Sequence, residues 1–344
     1  MFSRLSLRTV SAGCSLALAA GLGAVPLAAT PALAADTVSI AEIQGNGQTT
    51  PLSNQTVTTR GVVTAVYSTG GLNGYYIQTA GSGGAEDATP GASDGIFVYS
   101  PQTVSQVEKG DYVEVTGKVS EYYEQTQITV TSGNLTQLSE DFAPVQPITG
   151  TFPENEIDRE AIEGMLVQPT GDITITDNYN TNRYGEIGLV NGTEPLRTAT
   201  DVVAPGEEAV AYEAVNAERF FALDDGATSD YTRGGSDIPL PYLSGNNPAR
   251  VGASVSFDEP VVATYSRDLW RLQPTEPITG DNEAELAPAH WTATREAAPE
   301  EVGGEGKHRQ LQRAQLFLHH RRYPSGLPLL HRPREEPHFG QWRL

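Results

Sequence analysis

The sequence predicts an all-β chain, with two β-rich domains in succession and a disordered C-terminal tail. Short runs of Val, Ile, Tyr and Thr recur between clusters of Gly, Asn, Pro and Asp. That is the pattern of antiparallel strands and their turns. Helical periodicity is almost absent from the body of the chain. From Gly306 onward the composition changes. Five of the six histidines and eight of the 22 Lys and Arg fall there, interleaved with Leu and Pro in no regular period.

The first domain is placed at residues 35–138. Its candidate strands are residues 55–67, 74–79, 95–100, 112–122 and 125–131, the first of them long, with a Gly-rich excursion over 81–91. Five strands so arranged suit a small Greek-key barrel of OB type. Gly61 and Gly117 fall inside long strands, where a barrel needs a bend or bulge. An acidic, Pro-rich linker is expected at 139–156. The second, larger domain is placed at 157–280. It opens on a short helical stretch at 157–163 and continues through strands at 164–167, 172–176, 186–190, 217–223, 250–257 and 269–273. GMLVQPTGDITI and RVGASVSFDEPVVATY echo GVVTAVY and GDYVEVTGKVSEYY of the first domain, so a second OB-like barrel swollen by insertions fits here too. A second acidic linker follows at 281–305.

At the N-terminus, Arg4 and Arg8 precede an apolar stretch over 12–29 and then Pro31-Ala32-Leu33-Ala34. A charged region, an apolar region and an A-x-A site together form a secretory signal, cleaved near Ala34. Pro26 and the Ala/Gly content speak against a membrane anchor. The protein is therefore expected outside the cell. Its single cysteine, Cys14, lies in the signal, so no disulfide is expected to stabilise it.

Net charge is −21. Residues 305–344 hold eight Lys and Arg against three Asp and Glu, so residues 1–304 carry −26. Such a body opposes tight, non-specific polyanion binding, which needs clustered cations, and it suits recruitment of divalent cations. Two readings of residues 306–344 fit. One is a basic contact tail. The other, preferred here, is a reading-frame shift: read one nucleotide later, with free choice among synonyms, the codons of 307–318 can spell an apolar strand containing F-N-V-L-N-Y-F.

A resemblance supports the second reading. AEIQGNG, TVTTRGVVTAVY, GYYIQT, DGIFVYS and GDYVEVTGKVSEYYEQTQI are similar to the OB-like domain that precedes the catalytic domain of bacterial secreted nucleases. EGMLVQPTGDITITDNYNTNRYGEIGLVNGTEPLR, LDDG and PLPYLSGNNPARVGASVSF resemble the segment that follows it. The match runs over 39–280. In that family the next domain belongs to the endonuclease/exonuclease/phosphatase superfamily and begins with a strand like the one the shifted tail can encode. The resemblance implies a hydrolase that cleaves phosphodiester bonds of DNA or RNA with a divalent metal, Mg²⁺ or Ca²⁺. The family's first active-site Asn would fall across Gln312 and Arg313, which cannot supply it. The product is therefore expected to be a nucleic-acid-binding accessory part without catalytic residues. The alternative is a non-enzymatic, acidic secreted or surface protein that binds Ca²⁺ or cell-wall partners.

An OB barrel binds single strands by stacking bases on aromatics over a basic groove. Alternation puts Tyr75 and Ile77 on one face and Tyr76 and Gln78 on the other. It likewise sets Phe97 and Tyr99 opposite Ile96 and Val98. The expected interface is Arg60, Tyr76, Phe97, Tyr99, Lys118 and Tyr122, with Tyr123 and Lys109 as further candidates; the competing reading is that barrel aromatics fill the core. Asp177, Asn180 and Glu186 form a candidate Ca²⁺ loop, and Asp224 and Asp225 a candidate pair of ligands, each with a plain surface turn as the competing reading. His290 is expected solvated in the linker, and the tail histidines match no zinc spacing. Neither a G-x-S-x-G turn nor a histidine within the expected domains supports nucleophilic catalysis.

Overall fold

The structure, a computed structural model, describes residues 37–85, 89–234, 237–243 and 247–296. The expected signal and residues 306–344 lie outside the described residues. No helix among the described residues is long and apolar enough to cross a membrane.

A one-turn helix, α1 (Ile40–Gln44), leads into the barrel. Ser39 caps it reciprocally with Glu42, so both ends of the capping box are satisfied. Five strands follow: β1 (Thr56–Tyr67), β2 (Gly74–Gln78), β3 (Gly95–Tyr99), β4 (Tyr112–Tyr122) and β5 (Gln125–Gln137). They close in the order β1-β2-β3-β5-β4, with β3 parallel to β5 and the other pairs antiparallel. This is the expected OB-type barrel. Its ring closes through bulges at Val63/Ala65 in β1 and at Val115/Gly117 in β4. At Gly117 a Cβ would come within 2.4 Å of the Thr129 carbonyl oxygen, so only glycine fits. Alternation sorts the interior as expected: Tyr75, Ile77, Ile96 and Val98 pack with Val113, Val115, Val119, Ile128 and Val130, and Ile40 and Ile43 of α1 join them.

The second part is also β-rich, but it is no second ring. Its strands are β6 (Ile148–Gly150), β7 (Leu166–Pro169), β8 (Ile173–Asp177), β9 (Ile187–Asn191), β10 (Phe221–Leu223), β11 (Ser254–Phe257), β12 (Val261–Ser266), β13 (Leu269–Pro274) and β14 (Ala289–Trp291). They form one nine-stranded sheet in the order β14-β11-β8-β9-β10-β13-β12-β7-β6. Among the described residues four α-helices accompany it: α2 (Glu156–Glu160), α3 (Thr181–Tyr184), α4 (Glu207–Arg219) and α5 (Glu283–Leu286). The thirteen-residue α4 escaped the sequence reading, since only Ala209 and Asn216 of it are buried and so no apolar stripe marks it. Both expected linkers carry strands. β6 pairs with β7, and β14 pairs with β11, which places His290 in the sheet with Nδ1 2.6 Å from Asp258 Oδ2.

Barrel and sheet meet along a continuous seam. Ala65, Tyr67, Tyr76 and Phe97 on the outside of the barrel pack against Val262 of β12 and Leu166 of β7. Polar bonds run across it: Tyr67 Oη donates to the Pro274 carbonyl at 2.8 Å, and Leu166 N–H donates to Gln78 Oε1 at 2.9 Å. Residues 37–294 therefore form a single compact unit.

Candidate ligand-binding cleft

At one end of the seam barrel and sheet diverge, leaving a cleft of about 740 Å³. The barrel side is built from Gly71 and Leu72 of the β1–β2 loop, Phe97 and Tyr99 of β3, Tyr122 and Tyr123 of the β4–β5 turn, and Gln125 and Gln127 of β5. These are the loops and strand faces that OB barrels use for oligonucleotides and oligosaccharides. The sheet side supplies Asn180 and Tyr184 of α3 and its cap, Glu186, Asp224, the 227–229 segment, and Ser266, Arg267, Leu269, Arg271 and Gln273 of the β12–β13 hairpin.

Two hairpin tips face each other at this cleft. The β4–β5 turn is Tyr123-Glu124, with φ of 49° and 69°; the β12–β13 turn is Arg267-Asp268, with φ of 54° and 60°. Two-residue hairpin turns of this twist require positive φ at both positions and ordinarily use Asn and Gly. Here all four residues carry side chains into the left-handed region, at some conformational cost. The tips touch: Arg267 N–H donates to the Tyr123 carbonyl at 3.4 Å, and the Arg267 guanidinium carbon lies 4.7 Å from the centre of the Tyr123 ring. Tyr122 packs edge-on against Tyr123 at 4.7 Å between centroids. The two tyrosines remain 57% and 52% exposed.

The floor is a closed ionic network. Arg271, with its side chain only 13% exposed, sets Nε 3.1 Å from Glu186 Oε2 and 3.2 Å from Asp224 Oδ2. Its Nη1 donates to the carbonyls of Ser266 at 2.5 Å and Leu269 at 3.2 Å. Asn180 Nδ2 donates to Glu186 Oε1 at 3.1 Å, Asp225 N–H to Asp224 Oδ1 at 2.8 Å, and Gln273 Nε2 to Asp224 Oδ2 at 2.9 Å. Burial raises the pKa of Asp224, opposed by Arg271. Burial raises Asp225 as well, and the neighbouring Asp224 charge pushes in the same direction. Tyr231 Oη donates to Asp225 Oδ2.

The expected interface residues divide. Tyr99 is half-buried on the cleft wall and Tyr122 stands at its mouth. Tyr76 is not a solvent platform: it does point out of the barrel, but the sheet covers that side and leaves it 3% exposed. Its Oη donates to Thr264 Oγ1 at 3.0 Å and accepts from Gln125 Nε2. Phe97, 5% exposed, packs on Tyr76 at 5.0 Å and reaches the cleft only at its edge. Arg60 lies away from the cleft, paired with Glu114 at 2.7 Å and Glu140 at 3.0 Å. Lys109 pairs with Glu276 at 2.5 Å. Lys118 is exposed on β4 opposite Thr56 and does not line the cleft.

The expected metal loop does not assemble either. Asp177 is exposed and accepts from Tyr179 N–H at 2.7 Å, an ordinary turn bond, while Glu186 is neutralised by Arg271. Asp224 and Asp225 are tied into the floor network. Among the described residues no group of three or more His, Cys, Asp or Glu is placed to hold a metal ion. Glu186 and Asp224, the carboxylates that converge at the floor, thus do not fit a divalent cation, because they already share the Arg271 guanidinium.

Arg267, Arg271 and Tyr184 were missed in the sequence. The available signal was TYSRDLWRL, two alternating runs separated by two residues. Arg-Asp lacks the Asn-Gly chemistry that marks such a turn.

No family model and no curated protein matches the chain. Solved structures with local similarity include one of the Schizosaccharomyces pombe Stn1-ten1 complex, at 12% identity over 25% of this chain with a TM-score of 0.18. Another is the single-stranded DNA binding protein from Thermus aquaticus, at 21% identity over 27% of this chain with a TM-score of 0.18. A murine DNA binding protein bound with ds DNA aligns at 8% identity over 71% of this chain and 99% of its own, with a TM-score of 0.25. The chain spans 59% and 44% of the first two. What makes the first part an OB-type barrel is its own strand order, closed through the parallel pairing of β3 with β5.

Proposed function

We propose that this chain binds single-stranded nucleic acid, as the accessory part of a secreted nuclease. The observation that carries the reading is the exposed pair Tyr122 and Tyr123 at the barrel's ligand-binding loops, with Tyr99 beside them and a cation, Arg267, over one ring. Bases stack on such rings whatever their sequence. The nuclease parentage rests on the sequence resemblance over 39–280, and no hydrolytic step is assigned to the described residues. Secretion and a one-base shift near codon 306 belong to the same proposal, and the nucleotide sequence of the locus tests the shift.

The binding test is fluorescence anisotropy of a labelled single strand titrated with the full chain. Binding that drops on Tyr122→Ala supports the proposal; no binding of DNA or RNA at low salt refutes it. The second reading, an acidic binder of Ca²⁺ or of a cell-wall saccharide, is favoured by the −26 charge of residues 1–304. A calcium-dependent rise in melting temperature without oligonucleotide binding would decide for it.

A further inference from the structure

The geometry points to a proton-operated latch between the two halves of the protein. The Glu163 carboxyl closes the sheet half onto the barrel's β4–β5 hairpin, and its ionisation against Glu121 and Glu160 lets the hairpin go. The latch works whatever ligand the cleft takes.

Glu163 stands between α2 and β7 and is 3% exposed. Its side chain crosses the seam into the barrel, where the Thr126 N–H of β5 and the Gln44 side chain of α1 bond it. Its backbone is held in place too. The Glu163 carbonyl accepts from Ser93 Oγ, and the next residue, Gly164, lies against Gly95. The carboxyl therefore reaches water only if the seam opens.

Glu121 of β4 arrives at the same place from the barrel. Its Oε1 accepts from Thr50 N–H at 2.7 Å and from Thr126 Oγ1 at 3.1 Å, so Thr126 touches both acids. Glu163 Oε1 and Glu121 Oε2 are each buried without a hydrogen-bond partner. Glu160 of α2 is the third acid, with Glu156 beside it, and Tyr76 of β2 feels the Glu163 charge. The charges that act on Glu163 are Glu160 and Glu121. Arg159, the one base of α2, acts with Glu156, Glu154 and Glu218 instead. A buried carboxylate with an unbonded oxygen and like charges around it is costly, and a proton removes the cost. Burial, then Glu160 and Glu121, accordingly holds the Glu163 pKa well above 4.5.

The hairpin is what the latch holds. Glu121 pairs with Thr126 one rung from the Tyr122–Gln125 pair, and Tyr122, Tyr123 and Gln125 line the cleft. Gln125 Nε2 also donates across the seam to Thr264 Oγ1 at 2.8 Å. Charge on Glu163 repels the Glu121–Thr126 rung and with it the barrel wall of the cleft. Glu163 keeps its proton when the latch is closed and gives it up near the ordinary 4.5 when open. Closure is therefore complete below that value and is lost as pH rises above it.

The test is amide hydrogen exchange of the full chain between about pH 5 and 7, divided by the chemical exchange rate at each pH. With one proton released on opening, protection of the 121–126 amides falls at least about tenfold per pH unit. The amides of β2 and β3 change less than about threefold over the same range, because the barrel itself stays closed. Glu163→Gln, which keeps the shape and cannot ionise, removes about tenfold per pH unit of the effect. Adding Glu160→Gln removes the rest. Hairpin protection independent of pH overturns the latch, as does a full pH effect in Glu163→Gln. Parallel loss in β2 and β3 overturns it as well, since the acids then set global stability alone. The parent series reads these last two regions without any variant, so a Glu163→Gln chain that fails to fold leaves the decision intact.

Discussion

Gly95 of β3 and Gly164, just before β7, press backbone against backbone. A Cβ on Gly95 would lie 2.3 Å from the Gly164 carbonyl carbon, and Gly164 itself sits at φ +75°. Barrel and sheet approach here without any side chain between them. Gly164→Ala is expected to cost about 1–3 kcal/mol through strain and displaced backbone, with barrel and sheet melting together. An unchanged melting temperature would show that the seam tolerates separation.

The buried and exposed tyrosines separate stability from binding. Tyr76→Phe leaves Gln125 and Thr264 without the hydroxyl they share, at about 1–2 kcal/mol, yet oligonucleotide affinity should hold because the ring is out of reach. Tyr122→Ala should do the reverse, weakening binding about 5- to 150-fold with little change in melting. Equal effects of the two variants on binding would sink the distinction.

Arg271 is the keystone of the cleft floor. Replacing it by Met strands Glu186 and Asp224 in a buried site, a loss of about 3–5 kcal/mol. Denaturant unfolding of R271M reads this directly. A stability within error of the parent would mean that water reaches the floor.

Stability should fall as pH rises. Glu163 is buried with Oε1 lacking a hydrogen-bond partner, and burial, then the nearby Glu160 and Glu121, raises its pKa well above 4.5. Glu160 is pushed to about 7, by burial first and then by Glu156 and Glu121. Both bind protons more tightly folded than unfolded. Their stabilising contribution is therefore complete below the ordinary 4.5 and lost as pH rises through the folded values, near 7 for Glu160. Melting temperature should decline between about pH 5 and 8, and Glu163→Gln should flatten the decline. A parent protein most stable at pH 8 would contradict this.

Much of the barrel was legible because period-two alternation is a local signal. It separated Tyr75 from Tyr76 and Ile96 from Phe97, and hydrophobic burial enforces that separation wherever a strand has one dry face. The helix α4 was not legible, since its exposed Val210 and Val215 blur the stripe. The nine-stranded sheet was not legible either, because its order joins β10 to β13 and β8 to β11 across long intervening segments. Of the site, Tyr99 and Tyr122 could be picked out as aromatics on strand faces or turns. Arg267 and Arg271 could not, because nothing local distinguishes a cation that stacks on a ring or is buried between acids from a solvated one.

The sequence by itself determined which residues form the barrel strands and which side of each strand faces the barrel interior. Only the tertiary structure decided the fate of the outer side. Tyr76 meets Thr264 across 188 residues of chain, and that contact turns an apparent binding platform into a seam. It leaves the hairpin tips as the exposed aromatic surface beside it. Alternation records that a strand has two faces; what covers the second depends on distant segments arriving there, and no local pattern carries that information.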